Sequence, residues 1–349
     1  MTPRKNVKKK TEVPGRKIYI LSGLAIALIA LMIWGFPYVM AQTPREALIR
    51  IPATANQKTL TDSLSKYYGD KFASKVIGIS RFPKDSVGLR HGSYLIPEGS
   101  NPLSVSRRLT HGAQTPVTVT INGFRSLDNL IQRISAKLDF PADSLRAVLA
   151  DSTVMAEYGL RPEQALALFA DDSYQLYWTA SPREVVKKIG SNYLSIWNKE
   201  RKDKAAALGL TPAEVMIICS ITDEETNAKA EKGTIGRLYI NRLRKGMKLQ
   251  SDPTVRFALN DFTIRRVKGE HLKADSPYNT YRYAGLPPGP IRTTGKATID
   301  SVLNSDPNDY IFMCAKEDFS GTHNFAVTFE EHQENARRYQ KALDERGIK

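Results

Sequence analysis

Three consecutive acidic residues late in an apolar segment are the strongest candidates for chemistry in this sequence. Asp223, Glu224 and Glu225 directly follow the run VMIICSIT, which occupies residues 215–222. On a helix, Glu225 falls on the same face as Ile221, four residues earlier, and so continues an apolar stripe. Glu224 is nearly as well placed, and the spacing alone does not choose between the two.

A carboxyl group beside apolar side chains is poorly solvated when it is charged. Its neutral form is then favoured and its pKa rises, which is the environment that a proton-donating acid needs near neutral pH. The acidic cluster therefore predicts a general acid if one carboxyl group stays in that environment. The structural alternative is the solvated polar end of a helix.

The elements predicted around the acids belong to an α+β protein. The segment Thr211–Glu214 is predicted to begin the acidic helix, because it supplies a capping threonine, a proline for the first turn and the acid of a capping box. One long charged helix is predicted over 183–204, a second helix over 235–245, a buried strand over 310–315 and a terminal amphipathic helix over 329–346.

The N-terminus predicts an exported and anchored protein. Residues 18–39 contain no charged side chain, and at about 1.5 Å per residue they reach across a hydrocarbon core of about 30 Å. Seven basic residues and one acid precede this run, so the positive-inside rule predicts a cytoplasmic tail over 1–17 and export of the chain that follows. Val39-Met40-Ala41 resembles a cleavage site, and a cleaved signal peptide is the alternative.

Charge and cysteine content narrow the partners. The formal net charge is +15, and the first 17 residues contribute +6 of it. The rest suits an anionic polymer or membrane headgroups, whereas export and the lack of a recognition motif argue against nucleic acid. Cys219 and Cys314 lie in apolar runs and are expected to be small buried residues, although a disulfide between them is left open. No metal-ligand spacing occurs, so we expect no cofactor.

The segments from the acids onward resemble the YceG-like family of endolytic murein transglycosylases. The matching segments are SITDEET at 220–226, INRLRKGM at 240–247, LQSDPTV at 249–255, SPYNTY at 276–281, GLPPGPI at 285–291 and HNF at 323–325. The resemblance extends from about residue 46 to residue 340 and is dense over 211–326. The sequence departs from the family at 171–174, where Asp-Asp-Ser-Tyr replaces the usual Pro-Asp-Thr-Tyr.

The resemblance implies that Glu225 is the catalytic acid and that Asp223 and Glu224 lie on the helix surface. It also implies cleavage of nascent peptidoglycan between N-acetylmuramic acid and N-acetylglucosamine, which leaves 1,6-anhydro-N-acetylmuramic ends and terminates strand elongation. One carboxyl group serves twice in this chemistry, first as proton donor and then as acceptor. No water is activated, so no second carboxylate is required.

The motif residues supply candidate substrate contacts. Six side chains are predicted to bind the sugar strand: Asn241, Gln250, Asn279, Tyr281, Asp172 and Tyr174. Amides suit sugar hydroxyl and acetamido groups, and a tyrosine ring suits the face of a sugar. The structural alternative stays open for each of them, with Asn241 bracing a helix, for example.

The domain organisation follows from these observations. Five segments are predicted: a cytoplasmic tail (1–17), a transmembrane helix (18–39), a small LysM-like α+β domain (46–122), a helical connecting region (123–205) and a mixed α/β catalytic domain (206–349). The LysM-like assignment comes from the pattern G-x-Y-x-I-P-x-G, a helix and L-x-x-G over 92–112, and a small domain without ligand is the alternative. The predicted location is the cytoplasmic (inner) membrane, with a single span, a cytoplasmic N-terminus and the catalytic domain in the periplasm or cell envelope.

Peptidoglycan strands are the predicted partner, and the resemblance adds the peptidoglycan synthesis machinery. Two other functions fit parts of the sequence. A non-catalytic, membrane-anchored peptidoglycan-binding scaffold would use the anchor and the LysM-like region equally well. A muramidase-type hydrolase would use Glu225 with a partner such as Asp172.

Overall fold

The computed structural model describes residues 14–80, 90–112 and 114–347, and the chain divides into two compact units, Met1–Thr115 and Pro116–Lys349. Both units combine helices with one or more small antiparallel sheets, which confirms the predicted α+β class. The cytoplasmic tail predicted over 1–17 lies, up to residue 13, outside the described residues.

The first unit contains four helices and one two-stranded sheet among its described residues. Its elements are α1 (Pro14–Met40), β1 (Ala47–Ile51), α2 (Gln57–Tyr68), α3 (Asp70–Ser80), β2 (Gly92–Ile96) and α4 (Pro102–His111). β1 and β2 are antiparallel, with Ala47 opposite Ile96. Leu64, Val76 and Leu109 are fully buried, so α2, α3 and α4 share a small hydrophobic core of their own with this sheet.

Helix α1 covers the apolar run from which a membrane span is predicted. Among the described side chains, no single helix is both long enough and apolar enough to cross a bilayer, and the apolar stretch counted within α1 is Tyr19–Ala30. Two helices of the second unit, which are bent by 78° relative to each other, are together long and apolar enough for a span, judged by length and composition alone.

The second unit carries most of the helices. Its elements are β3 (Val117–Ile121), α5 (Leu127–Ser135), α6 (Ala142–Ala150), α7 (Ser152–Ala156), β4 (Asp172–Leu176), α8 (Pro182–Ile196), α9 (Lys199–Ala207), α10 (Pro212–Glu225), α11 (Lys232–Arg244), α12 (Asp252–Ala258), α13 (Lys296–Leu303), β5 (Phe312–Ala315), β6 (His323–Ala326) and α14 (Phe329–Glu345). β3 pairs with β4 and β5 with β6, each antiparallel.

The prediction of a single helix over 183–204 is wrong. The chain leaves α8 at Trp197 and starts α9 at once, because the side chain of Asn198 accepts a hydrogen bond from the backbone N–H of Arg201 and caps a new helix. Asparagine is among the residues that favour this capping position. The short break lets Trp197 turn into the core, where it is 2% exposed.

Helix α10 lies at the centre of the second unit. Its predicted start is confirmed, since the side chains of Thr211 and Glu214 form a reciprocal capping box. Ten of its 14 residues are buried, so α10 is apolar on nearly all sides and has no single apolar stripe. It packs against α9, α11, α12, α13 and the 3-10 helix Pro162–Leu168, and its C-terminal end carries the acidic cluster.

Two of the predicted domain limits differ from the observed units. Strand β3 was assigned to the LysM-like domain over 46–122, but it pairs with β4, with Ile121 opposite Asp172, and so belongs to the second unit. The predicted connecting region, 123–205, shares one continuous hydrophobic core with the predicted catalytic domain, 206–349. These two segments therefore form one folding unit.

Candidate active site

Glu225 ends α10 and lies in the wall of a polar pocket of about 340 Å³. Its Oε1 accepts hydrogen bonds from the Tyr239 hydroxyl and from the Ser251 hydroxyl, both at 2.6 Å. Burial raises the pKa of Glu225, and the two hydrogen bonds only partly oppose this rise. No described residue donates a hydrogen bond to Oε2, so this oxygen is the one available to a ligand.

The two donors come from separate elements. Ser251 occupies the N-cap position of α12 yet makes no capping hydrogen bond, because its hydroxyl donates to Glu225. Its backbone N–H donates to the Thr280 hydroxyl at 3.0 Å, which fixes the position of the side chain. Tyr239 lies on α11 and is 2% exposed; burial holds its pKa well above the ordinary value, so it remains a donor near neutral pH.

Sequence reasoning did not single out these two residues. Ser251 is part of the LQSDPTV segment and Tyr239 directly precedes the INRL segment, so both stand within or beside matched motifs. A carboxyl group that must carry charge during a reaction needs hydrogen-bond donors for its anion. A search for such donors to Glu225 was the criterion that would have found them.

The prediction that Asp223 lies on the helix surface is wrong. Asp223 is 8% exposed and accepts hydrogen bonds from Lys232 Nζ at 2.5 Å, the Thr294 hydroxyl at 2.5 Å and the Thr298 hydroxyl at 2.7 Å. These partners come from α11, from the loop before α13 and from α13. Asp223 is therefore a buried, fully partnered charge that ties three elements to the end of α10.

The side chain of Glu224 is also largely inaccessible, which corrects the second surface prediction. Its side chain is 6% exposed and its Oε1 accepts hydrogen bonds from Arg125 Nε at 2.8 Å and from Arg292 Nη1 at 3.0 Å. The environments of the two neighbouring acids thus differ in kind. Glu224 is paired with two guanidinium groups, whereas the hydrogen-bond donors of Glu225 are neutral.

Of the predicted sugar contacts, Gln250 and Tyr281 line the pocket with Glu225. Gln250 is exposed and has a left-handed backbone with a φ of 52°, a conformation that costs a non-glycine residue on the order of 1 kcal/mol. Its side-chain oxygen accepts a hydrogen bond from Arg242 Nη1 at 3.3 Å. The Tyr281 hydroxyl donates to Asp252 Oδ1 at 2.7 Å, which sets the tilt of the ring.

Asn241 and Asn279 are placed differently from the prediction. The Asn241 amide is 7% exposed and donates to carbonyl oxygens of the segment 308–310 at 2.8 and 3.1 Å. The Asn279 side chain is fully buried and donates to carbonyl oxygens of the segment 272–274 at 2.9 and 2.8 Å. Neither lines the pocket, so the structure supports the bracing alternative for both of them.

Asp172 and Tyr174 lie at a separate cavity of about 420 Å³ between β4 and α8. Tyr174 is 4% exposed, donates its hydroxyl hydrogen to Ala170 O and accepts from Asn192 Nδ2, both at 2.9 Å. Contact of these two residues with a ligand held at Glu225 is therefore not supported by their positions. Asp172 is also not available at the pocket as a second carboxylate.

Arg242 supports the pocket from behind. Its guanidinium is buried and donates to Ile311 O at 2.6 Å and to Leu249 O at 2.8 Å. Burial lowers the pKa of Arg242, and the backbone carbonyls compensate the charge. Arg242 thereby ties the segment before Gln250 to the backbone at Ile311.

The two cysteines do not form a disulfide. Cys219 and Cys314 are both free; Cys219 is buried and burial raises the pKa of its thiol, whereas Cys314 is partly exposed. Over residues 14–80, 90–112 and 114–347, no group of three or more His, Cys, Asp and Glu side chains is placed to hold a metal ion.

One desolvated carboxylic acid with neutral donors, at the edge of an open polar pocket, defines a general-acid site. The chain belongs to the YceG-like family, whose family model matches residues 49–338. This confirms the resemblance drawn from the motifs.

Two curated relatives are named for an activity. The chain is 26% identical over 284 residues to the endolytic murein transglycosylase of Bacillus subtilis (strain 168), covering 75% of this chain and 76% of that protein. It is 23% identical over 338 residues to the protein of the same name from Streptococcus pneumoniae serotype 2 (strain D39), covering 86% of this chain and 61% of that protein. The chain thus spans about three fifths of the pneumococcal relative.

A solved structure has a similar fold. The crystal structure of a YceG-like protein from Listeria monocytogenes matches with a TM-score of 0.56 and 22% identity, over 83% of this chain and 98% of that chain. At this identity the match concerns the fold alone.

Proposed function

We propose that this chain is an endolytic lytic transglycosylase that cleaves nascent peptidoglycan between N-acetylmuramic acid and N-acetylglucosamine and so terminates strand elongation. The observation that carries the proposal is the raised pKa of Glu225 within a polar, open pocket. The names of the two curated relatives support the same activity.

The first step uses Glu225 as an acid. The raised pKa favours the protonated carboxyl group, and the proton sits on Oε2 because Oε1 already accepts two hydrogen bonds. Oε2 donates this proton to the bridging oxygen as the bond from that oxygen to C1 of the muramic residue breaks. The departing sugar leaves as an alcohol, and positive charge develops at C1.

The second step uses the same group as a base. Tyr239 and Ser251 stabilise the carboxylate that the first step produces. The carboxylate takes the proton of the C6 hydroxyl of the same muramic residue, and O6 bonds to C1. The product is a 1,6-anhydro end, no water is consumed, and Glu225 is protonated again.

The direct test is the Glu225→Gln variant. It is nearly isosteric, so we expect it to fold and bind glycan but to release no anhydro-ended fragments from purified sacculi, as measured by mass spectrometry. Glu330→Gln, the same substitution at an exposed position on α14, should cleave at the wild-type rate. Cleavage by Glu225→Gln at that same rate would rule out the assignment.

The mass of the new ends separates the proposal from its two alternatives. A muramidase-type hydrolase adds one water to each cut end, and it needs a second carboxylate to activate that water. Asp172, the partner considered for that role, lies at the separate cavity, but Asp252 lines the pocket of Glu225, so the mass of the new ends decides between the two reactions. A non-catalytic scaffold would release no fragments at all.

The anchor and the location remain part of the proposal. We infer that residues 18–39 hold the protein in the cytoplasmic membrane with the N-terminus inside and the remainder in the cell envelope, because the run is uncharged and follows a basic tail. The LysM-like assignment of the first domain and a partnership with the synthesis machinery are proposed on the resemblance. Protease added to spheroplasts should digest the chain from residue 42 onward and leave the tail intact.

A further inference from the structure

The pocket of Glu225 contains a cationic side chain that the proposed mechanism does not use. Arg256 lines this pocket from α12, four residues after Asp252. Its Nη2 donates to Arg265 O at 3.2 Å, while its Nε is buried without a hydrogen-bond partner. Among the described residues, no acidic side chain forms an ion pair with Arg256. A buried N–H left without a partner is unfavourable and calls for an explanation.

The neighbouring arginines are already committed to protein groups. Arg242, the other arginine in the pocket wall, donates to backbone carbonyls. Arg125 and Arg292 pair with the Glu224 carboxylate. Arg256 differs from these arginines because, in the part of the chain that the structure describes, it has no acidic counterpart and its Nε has no hydrogen-bond partner.

The chain beyond Arg256 increases the positive charge. Residues 257–273 contain four lysines and arginines, against the acids Asp261 and Glu270. This local excess favours an anionic ligand near the pocket and raises its local concentration. A planar guanidinium binds a carboxylate through parallel hydrogen bonds, which is the contact that the N–H groups of Arg256 on the pocket side can make.

We propose that Arg256 binds a carboxylate of the peptide stem carried by the muramic residue of the substrate. The inference rests on the proposed function, because it takes peptidoglycan as the substrate. The sugars of such a strand are neutral, since their polar groups are hydroxyls and acetamides and the lactyl carboxyl group is consumed in the amide bond to the peptide. The anionic groups of the repeating unit are the peptide carboxylates. Arg256 thus makes the enzyme prefer strands that carry peptides over bare glycan.

The test compares two substrates with one set of variants. Full-length protein in detergent is given uncrosslinked peptide-bearing strands, or the same strands after an amidase has removed the peptides. Arg256→Gln should lower kcat/KM on peptide-bearing strands by about tenfold or more, the size expected for a charged hydrogen-bonded contact, and leave the rate on bare strands unchanged. Arg256→Lys should fall between, since it keeps the charge but loses the fork.

A matched control removes the same charge elsewhere. Arg133 is exposed on α5, and Arg133→Gln should cleave both substrates as the wild type does. Melting temperatures of all variants show whether the Arg265 contact is needed for folding; the lysine variant carries the test if the glutamine variant unfolds. An equal loss on both substrates, or no loss on peptide-bearing strands, would overturn the inference.

A binding measurement keeps this inference separate from the proposed function. In a Glu225→Gln background, adding Arg256→Gln should weaken binding of peptide-bearing strands by a similar factor and leave binding of bare strands unchanged. If the wild type forms hydrolysed ends or no products, the proposed function fails while this binding difference still decides the role of Arg256. If binding of the two substrates never differs, the role of Arg256 fails whatever the products are.

Discussion

At the scale of single residues, the site depends on how one carboxyl group is both desolvated and partnered. Burial favours the neutral form of Glu225, and the hydroxyls of Tyr239 and Ser251 favour its anion. The balance suits a group that must release a proton and then accept another within one reaction. If Glu225 were desolvated without these two hydrogen bonds, its pKa would be so high that it would be too weak an acid to donate its proton.

Removing one donor should move the pH profile in a defined direction. Ser251→Ala deletes a hydrogen bond that lowers the pKa of Glu225, so the pKa of Glu225 rises further above its ordinary value. Activity requires the protonated form and is lost as pH rises through this pKa, so the alkaline limb of kcat/KM should shift to higher pH. The anion also loses a partner, and we expect kcat to fall about tenfold.

The control for this change is Ser301→Ala on α13, whose hydroxyl donates only to the backbone oxygen of Ala297 among the described residues. Ser301→Ala should change neither the alkaline limb of the kcat/KM profile nor kcat. A Ser251→Ala profile that keeps the wild-type limb, or moves it to lower pH, would contradict the role given to this hydroxyl.

The acid itself could be predicted from the sequence, but its surroundings could not. Glu225 follows from the apolar spacing together with the matched motif. Its partners Tyr239 and Ser251 are 14 and 26 residues away in sequence, and no local pattern records such a contact. Asp223 and Glu224 were misplaced for the same reason, since the arginine that pairs with Glu224 through Nε lies 99 residues earlier.

At the scale of elements, the C-terminal end of α10 is held in place by buried charge. Asp223 and Lys232 pair at 2.5 Å with side-chain exposures of 6% and 19%, and Thr294 and Thr298 complete the hydrogen bonds of the carboxylate. The position of Glu225, two residues later at the end of the helix, therefore depends on α11 and α13. Periodicity predicted α11, as a helix over 235–245, but no helix was predicted at α13, and an apolar pattern says nothing about which polar ends meet.

Breaking this pair should be costly. Lys232→Met leaves a buried carboxylate without its cation, and we expect the free energy of unfolding to fall by about 3 kcal/mol in a urea melt. Lys199→Met is the matched control, because its ion pair with Asp203 is exposed (89% and 61%) and well solvated, so its removal should leave the free energy of unfolding almost unchanged. Adding Asp223→Asn to Lys232→Met should recover part of the loss. Equal effects of the two lysine changes would show that the pair carries no special stability.

At the scale of the whole molecule, long-range pairing decides the limits of the folding units. The predicted boundary at residue 122 followed composition and local strand signals. β3 instead pairs with β4, whose paired residues lie 51 to 59 positions later, and the helices between them bury Leu130, Leu145 and Val154 in the core that also contains α10. The local sequence of a strand contains no information about which other strand it will pair with.

This difference leads to a prediction about truncated chains. A protein of residues 206–349, the predicted catalytic domain, would expose the face of α10 that packs on the 3-10 helix Pro162–Leu168, including Ile217 and other fully apolar side chains. We expect it to show no cooperative thermal transition and to bind a hydrophobic dye. Residues 116–349 keep the whole core and should unfold in one cooperative transition, with a melting temperature independent of the probe. If residues 206–349 alone melted cooperatively, residues 123–205 would be a separable linker. A core that depends on contacts with 123–205 could not stay folded without them.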